Sequence, residues 1–128
     1  GRTAPGGRGV KYGLPDTVVR QICAVLGRYP QVDRAILYGS RAKGNYKNGS
    51  DIDLTLRGSA ELTLKVLYRI LDDLDDLLLP YTIHLSIFHQ IDDLDVIEHI
   101  QRVGVVFYQK SEAVPESAAA TRCSESNA

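Results

Sequence analysis

This chain has no methionine, only two cysteines and no apolar run approaching the ~20 residues of a membrane span. Each shortage excludes something. A transmembrane helix is not expected. Cys23 and Cys123 are too few and too differently placed for a disulfide framework or a metal knuckle. Cys23 falls in a helical pattern and reads as a small core residue. Charge of either sign is also short, because 15 Lys and Arg nearly cancel 16 Asp and Glu. Nothing therefore pulls the whole chain toward nucleic acid or an anionic membrane, and no extended nucleic-acid binding is expected. The N-terminal arginines precede no apolar core, so no secretory signal is read and the default compartment is the cytoplasm. At 128 residues with ordinary hydrophobic content, there is room for one domain with a modest core.

Gly1 to Gly9 is rich in Gly, Arg and Pro and has no periodicity. It reads as a cloned or mis-started leader, with Val10 standing where an initiator would, and residues 1–13 are expected to be disordered. Leu14-Pro15-Asp16 opens a first helix, capped by Asp16, running to about Arg28 with Val18, Ile22, Val25 and Leu26 as its apolar stripe. Tyr29-Pro30 stops it. Ser59 is expected to cap a long helix to about Leu78, with Leu67, Ile70, Leu71, Leu74, Leu77 and Leu78 on one side. Asp72, Asp73, Asp75 and Asp76 fall off that stripe and read as a solvated face rather than a metal site. Pro80 breaks the helix. Tyr81 to Phe88 alternates like a strand, and Asp92 or Asp93 starts a last helix that Gly104 ends. Val105 to Tyr108 is a short terminal strand. Residues 111–128 read as a disordered tail. Strands alternating with helices over 14–110 predict an α/β or α+β sheet domain.

The informative stretch lies between the first two helices. Val32 to Tyr38 is short, largely apolar and closed by Gly39-Ser40, as a buried strand would be. Gly39 has no Cβ, so a ligand can approach the backbone closely there. Ser40 offers a hydroxyl and an amide at the start of a short helix, where anions are favoured. Ten residues separate Ser40 from Asp51. Residues 44–50 form a polar loop of turn formers. Asp51-Ile52-Asp53-Leu54-Thr55-Leu56 then alternates polar and apolar, so both carboxylates face one side. Two carboxylates facing a phosphate site suit Mg²⁺, which takes few carboxylates and completes its shell with phosphate oxygens and water. Arg41 or Lys43 could add positive charge near the phosphates, although Lys43 reads equally well as a solvated surface cation.

Gly-Ser, ten residues, then Asp-x-Asp resembles the signature of the DNA polymerase beta-like nucleotidyltransferase superfamily. The short length makes the chain look like a minimal nucleotidyltransferase, the kind paired with HEPN proteins in toxin–antitoxin modules. The resemblance covers about residues 14 to 110. It implies a small mixed β-sheet with helices packed on one face. It also implies transfer of AMP from ATP, with Mg²⁺, to a hydroxyl of a cognate HEPN toxin, most naturally a tyrosine. Gly39 and Ser40 would then grip the β- and γ-phosphates, and Asp51 and Asp53 would hold the metal. A chain this small has no second domain to bind an acceptor, so the acceptor would be presented by a partner, in an assembly with it.

The resemblance also implies a third carboxylate on the next strand, and there this chain departs from it. The matching stretch is Ile83-His84-Leu85-Ser86. An imidazole can act as a base or ligate a transition metal, but it is a poor partner for Mg²⁺. His84 is therefore either a working catalytic substitute or the mark of an impaired second metal site. A half-buried strand histidine with a backbone partner is the blander reading. The alternative to an enzyme is a nucleotide-binding module, catalytically weak, that neutralises or scaffolds a partner by contact. His89 and His99 show no partner pattern and read as surface residues.

Overall fold

A computed structural model describes residues 10–47, 49–110 and 121–123. The first element is a hairpin arm. Strands β1 (Val10–Lys11) and β2 (Leu14–Pro15) pair antiparallel across Tyr12 and Gly13, both at positive φ, 57° and 75°. Two left-handed residues make the tight turn whose twist suits a hairpin. The stretch expected as leader thus carries structure from Val10 onward. Residues 1–9 lie outside the described residues.

Helix α1 (Asp16–Leu26) starts at the residue expected to cap it, so its N-cap lies one residue earlier. Pro15 takes the N-cap position without a side-chain bond, and Asp16 pairs with Arg20 at 2.8 Å instead. Its apolar stripe is buried: Val18, Val19, Ile22, Cys23, Val25 and Leu26. Cys23 is disulfide-bonded, whereas the sequence suggested a plain core thiol. Then follow β3 (Val32–Tyr38), the short α2 (Ser40–Lys43) and β4 (Ile52–Gly58).

Helix α3 spans Leu64–Asp75, shorter at both ends than the leucine stripe suggested. Thr63, not Ser59, is its cap, accepting from the Val66 amide at 3.4 Å. The Ser59 hydroxyl accepts from the Glu61 amide in a preceding turn, which drops Leu62 into the core at 1% exposure. At the far end Leu78 has φ 56° and is exposed, so the helix stops before the stripe does. Asp73, on the expected solvated face, accepts a 2.5 Å hydrogen bond from the Tyr29 hydroxyl and ties α3 to the end of α1.

Strand β5 (Ile83–Ile87), a 3₁₀ turn (Phe88–Gln90), α4 (Leu94–Val103), β6 (Val105–Lys110) and β7 (Thr121–Cys123) complete the chain. Asp93 caps α4 through the Asp95 amide. Strand β7 lies within the stretch expected as a disordered tail. Residues 111–120 and 124–128 lie outside the described residues.

The sheet order is β5-β4-β3-β6-β7. Among the described residues only the β4–β5 pair of this sheet is parallel; its other pairs are antiparallel. A mixed sheet results, as expected. Alternation decides what each face does. Ala35, Leu37, Leu54 and Leu56 point to one face and are fully buried with α1 and α3. Ile36, Tyr38, Asp53 and Thr55 point to the other. Helix α4 reaches that second face, where a Cβ on Gly104 would press on Ile36 and where His99 meets the Tyr38 ring. The main core therefore sits on one side of the sheet, and the other carries α4 together with the polar row of Tyr38, Asp53 and Thr55. Among the described residues no helix is long and apolar enough to cross a membrane.

Candidate active site

The register of three strands sets the site. Tyr38 on β3 lies opposite Asp53 on β4, and Asp53 lies beside His84 on β5. The next row holds Ile36, Thr55 and Ser86, and the Ser86 hydroxyl bonds to Thr55 at 2.9 Å. Asp51 precedes Asp53 by two residues, just outside the strand. Its Oδ2 is 2.8 Å from His84 Nε2. The side chains of Asp51 and His84 are about half exposed, at 50% and 56%, so both open to solvent.

Asp53 differs. It is half-buried, and its carboxyl is pushed above the usual carboxylate range, by burial first. The Asp51 charge pushes the same way, while His84 and His99 pull it back. The neighbouring Tyr38 hydroxyl is likewise raised, chiefly by burial. A hydrogen bond with Ser86 opposes that rise, and the Asp53 charge adds to it. A desolvated carboxylate pressed by another is stabilised by a hard cation, which offsets both penalties. The chemistry of Asp51 and Asp53 therefore fits a divalent ion, which these two carboxylates would hold. Among the described residues, no group of three or more His, Cys, Asp and Glu is arranged to hold a metal. His84 binds Asp51 rather than joining the two acids as a third ligand.

Gly39 joins β3 to α2 at φ 79° and ψ −158°, a conformation that side chains rarely adopt. Its hydrogen faces Asp53 Oδ2, and a Cβ there would collide with that oxygen. The glycine thus lets the carboxylate lie against the backbone, a tighter reason than room for a ligand. Ser40 opens α2, whose first-turn amides lack intrahelical partners. Lys43, at the other end, is exposed.

Arg41 does something other than expected. It is 2% exposed, and its guanidinium is occupied. Nε and Nη2 donate to the Ser50 carbonyl at 3.1 and 2.8 Å, and Nη1 donates to the Tyr12 carbonyl at 2.8 Å. The Tyr46 and Tyr81 rings lie 5.3 Å from it. Arg41 latches the hairpin arm and the 44–50 loop onto the sheet, fixing the approach to Asp51. Three of its five N–H groups are taken by these carbonyls, so the arginine that the sequence offered as a source of charge near the phosphates is first of all a buried structural clamp.

His99 was read as a surface residue and belongs here instead. Its ring meets Tyr38 edge-on, with centroids 6.1 Å apart and planes at 80°, and its charge acts on Asp53. No local pattern marks it. Only the packing of α4 across the second face brings it in.

No protein of curated description is significantly similar in sequence. Solved structures are similar in fold. One is a toxin–antitoxin with AMP-PNP, 18% identical over 69% of this chain and 70% of that one, TM-score 0.57. Another is a mutant of the toxin–antitoxin MntA-HpeT, 15% identical over the same shares, TM-score 0.55. The family model described as "Polymerase beta, Nucleotidyltransferase" matches residues 20–113. With that match over most of the chain, and the Gly-Ser turn set against paired aspartates, the protein belongs to the polymerase beta nucleotidyltransferase family.

Proposed function

We propose that this protein transfers AMP from ATP to a hydroxyl of a partner protein, and that it acts as an antitoxin by modifying a tyrosine of a HEPN toxin. The observation that carries the reading is the contact between Gly39 and the Asp53 carboxylate, which seats the phosphate-binding turn directly against the acidic pair. Family membership supports nucleotidyl transfer. The two solved relatives support the setting, since both are toxin–antitoxin structures and one holds an ATP analogue. This reading places the protein in the cytoplasm.

The chemistry asks little covalent work of the chain. The acceptor hydroxyl gives up its proton to solvent as its oxygen attacks the α-phosphorus, the bond from that phosphorus to the α–β bridging oxygen breaks, and pyrophosphate leaves with the electron pair. Amides of Gly39 and Ser40 hold the terminal phosphates. Asp51 and Asp53 would hold Mg²⁺, which would neutralise charge developing on the phosphates. The hairpin arm and Arg41 latch keep those groups in line, and positioning supplies much of the rate in such a reaction. Mixing the protein with ATP, Mg²⁺ and a candidate HEPN partner tests this. The partner should gain the mass of one AMP, on a tyrosine. No gain on any partner hydroxyl, with ATP bound, favours the second reading.

That second reading is a nucleotide-binding module that neutralises its partner by contact. Its specific support is the 2.8 Å bond from His84 to Asp51, which occupies an oxygen the metal would use.

A further inference from the structure

The β3–β4 ladder carries a second charged feature at its other end. Arg34 on β3 stands directly opposite Arg57 on β4, and Gln109 on β6 lies on the other side of Arg34. At ~3.3 Å per residue this is roughly 13 Å along the strand from the Tyr38–Asp53 row. Like charges directly opposite in an antiparallel pair destabilise it. Among the described residues no carboxylate lies within ion-pair distance of either arginine. The Arg57 guanidinium lies 4.5 Å from the Phe88 ring centroid, which steadies its head. Both arginines, with Asp33, Gly58, Phe88 and His89, line a cleft of about 420 Å³. Arg34 and Asp33 also line a second depression, of about 290 Å³, with Gln109 and Lys110. The positive strip therefore crosses β4, β3 and β6.

We propose that this strip docks an acidic segment of a partner protein, one that mixes carboxylates with a basic residue. Guanidinium forks match carboxylates two bonds at a time, and a strip crossing three strands suits several carboxylates rather than one small anion. Asp33 decides between polyanions. It lines both depressions, so a uniformly charged phosphodiester strand would meet it unpaired. A peptide can set a lysine there. The net charge of −1 also gives a nucleic acid no long-range attraction. The proposal goes beyond the transfer reaction and does not depend on it.

Fluorescence anisotropy of a labelled peptide of Glu-Glu-Lys repeats tests the strip, with oligothymidylate of equal length as the competing probe. The wild-type chain should bind the peptide, more weakly as salt rises. Arg34→Gln and Arg57→Gln should each weaken binding by about tenfold. Arg34→Glu combined with Arg57→Glu should abolish it, with binding of ATP and Mg²⁺ unchanged. Arg34→Gln should leave the melting temperature level or higher, because it removes a like-charge pair, so that variant stays folded. Equal peptide affinity in the wild type and the double variant overturns the proposal. Tighter binding of oligothymidylate than of peptide also overturns it and makes the strip a nucleic-acid face.

Discussion

The two ends of the β3–β4 ladder invite comparison. At one end Asp53 sits near Asp51, with its carboxyl raised by burial and by that neighbour. At the other, Arg34 faces Arg57 across the strands. Each end sets two like charges near one another. The middle of the same ladder is apolar on one face and closed by Thr55, fully buried, on the other. On the two readings proposed above, both ends trade stability for a ligand: their repulsion would be relieved from outside the fold, by a cation with phosphates at the acidic end and by carboxylates at the basic end. The acidic end is the more costly, because only there is a charged group substantially desolvated.

Removing the acidic pair should have the largest effect. Asp51→Asn with Asp53→Asn should lower AMP transfer by at least about a thousandfold, equivalent to ~4 kcal/mol of barrier. The same change should leave the fold intact, since Asp51 is half exposed. The sign of the stability change sharpens the comparison. An acid whose folded pKa exceeds its unfolded value binds its proton more tightly when folded. Its stabilising contribution is present below the unfolded value and lost as pH rises through the raised folded value. Ionised Asp53 thus weighs against the metal-free fold at neutral pH. Asp53→Asn should raise the melting temperature measured in chelator at pH 7, and a fall there would break the comparison.

The latch comes next. Arg41→Ala strips partners from the Ser50 and Tyr12 carbonyls and leaves a hole between Tyr46 and Tyr81. A loss of about 2–4 kcal/mol in denaturant unfolding is expected. If stability holds but ATP affinity collapses, Arg41 serves the nucleotide after all. Gly39→Ala should cost less, about 1–3 kcal/mol for the strained backbone. It should also weaken ATP binding by about tenfold in calorimetry, because Asp53 must move away from the new Cβ. Unchanged ATP affinity would place the nucleotide elsewhere.

Much of this was legible in the chain. The Gly-Ser turn and the Asp-x-Asp alternation lie at the strand boundaries expected of them, because strand period and turn chemistry are local properties. Legibility failed where long-range packing decides. The clamp role of Arg41 did not show in the sequence, because its burial depends on Tyr12, 29 residues earlier. His99 looked like surface until α4 crossed the second face. The arginine pair was invisible for a like reason, since Arg34 and Arg57 meet only through the β3–β4 register. The start of α3 was misjudged because Thr63 outcompetes Ser59 once Leu62 must enter the core.

The smallest effect expected belongs to His84, and it asks whether the acidic end is complete. His84 stands beside Asp53 in the parallel register and holds Asp51 at 2.8 Å. An imidazole there offers nitrogen where a hard cation prefers oxygen. His84→Asp would add a third carboxylate to the row and free the Asp51 oxygen. The added acid could hold oxygen toward a second cation or take the acceptor's proton. We expect AMP transfer at saturating ATP and Mg²⁺ to rise by about tenfold, equivalent to ~1.4 kcal/mol of barrier. A third acid also adds like charge, so the comparison of the two ends predicts a lower melting temperature in chelator, recovered when Mg²⁺ is added. A faster reaction with that metal-linked recovery completes the acidic end. A slower reaction with the same recovery means the imidazole is the working base, since the cation is then held and only the proton's destination has been lost.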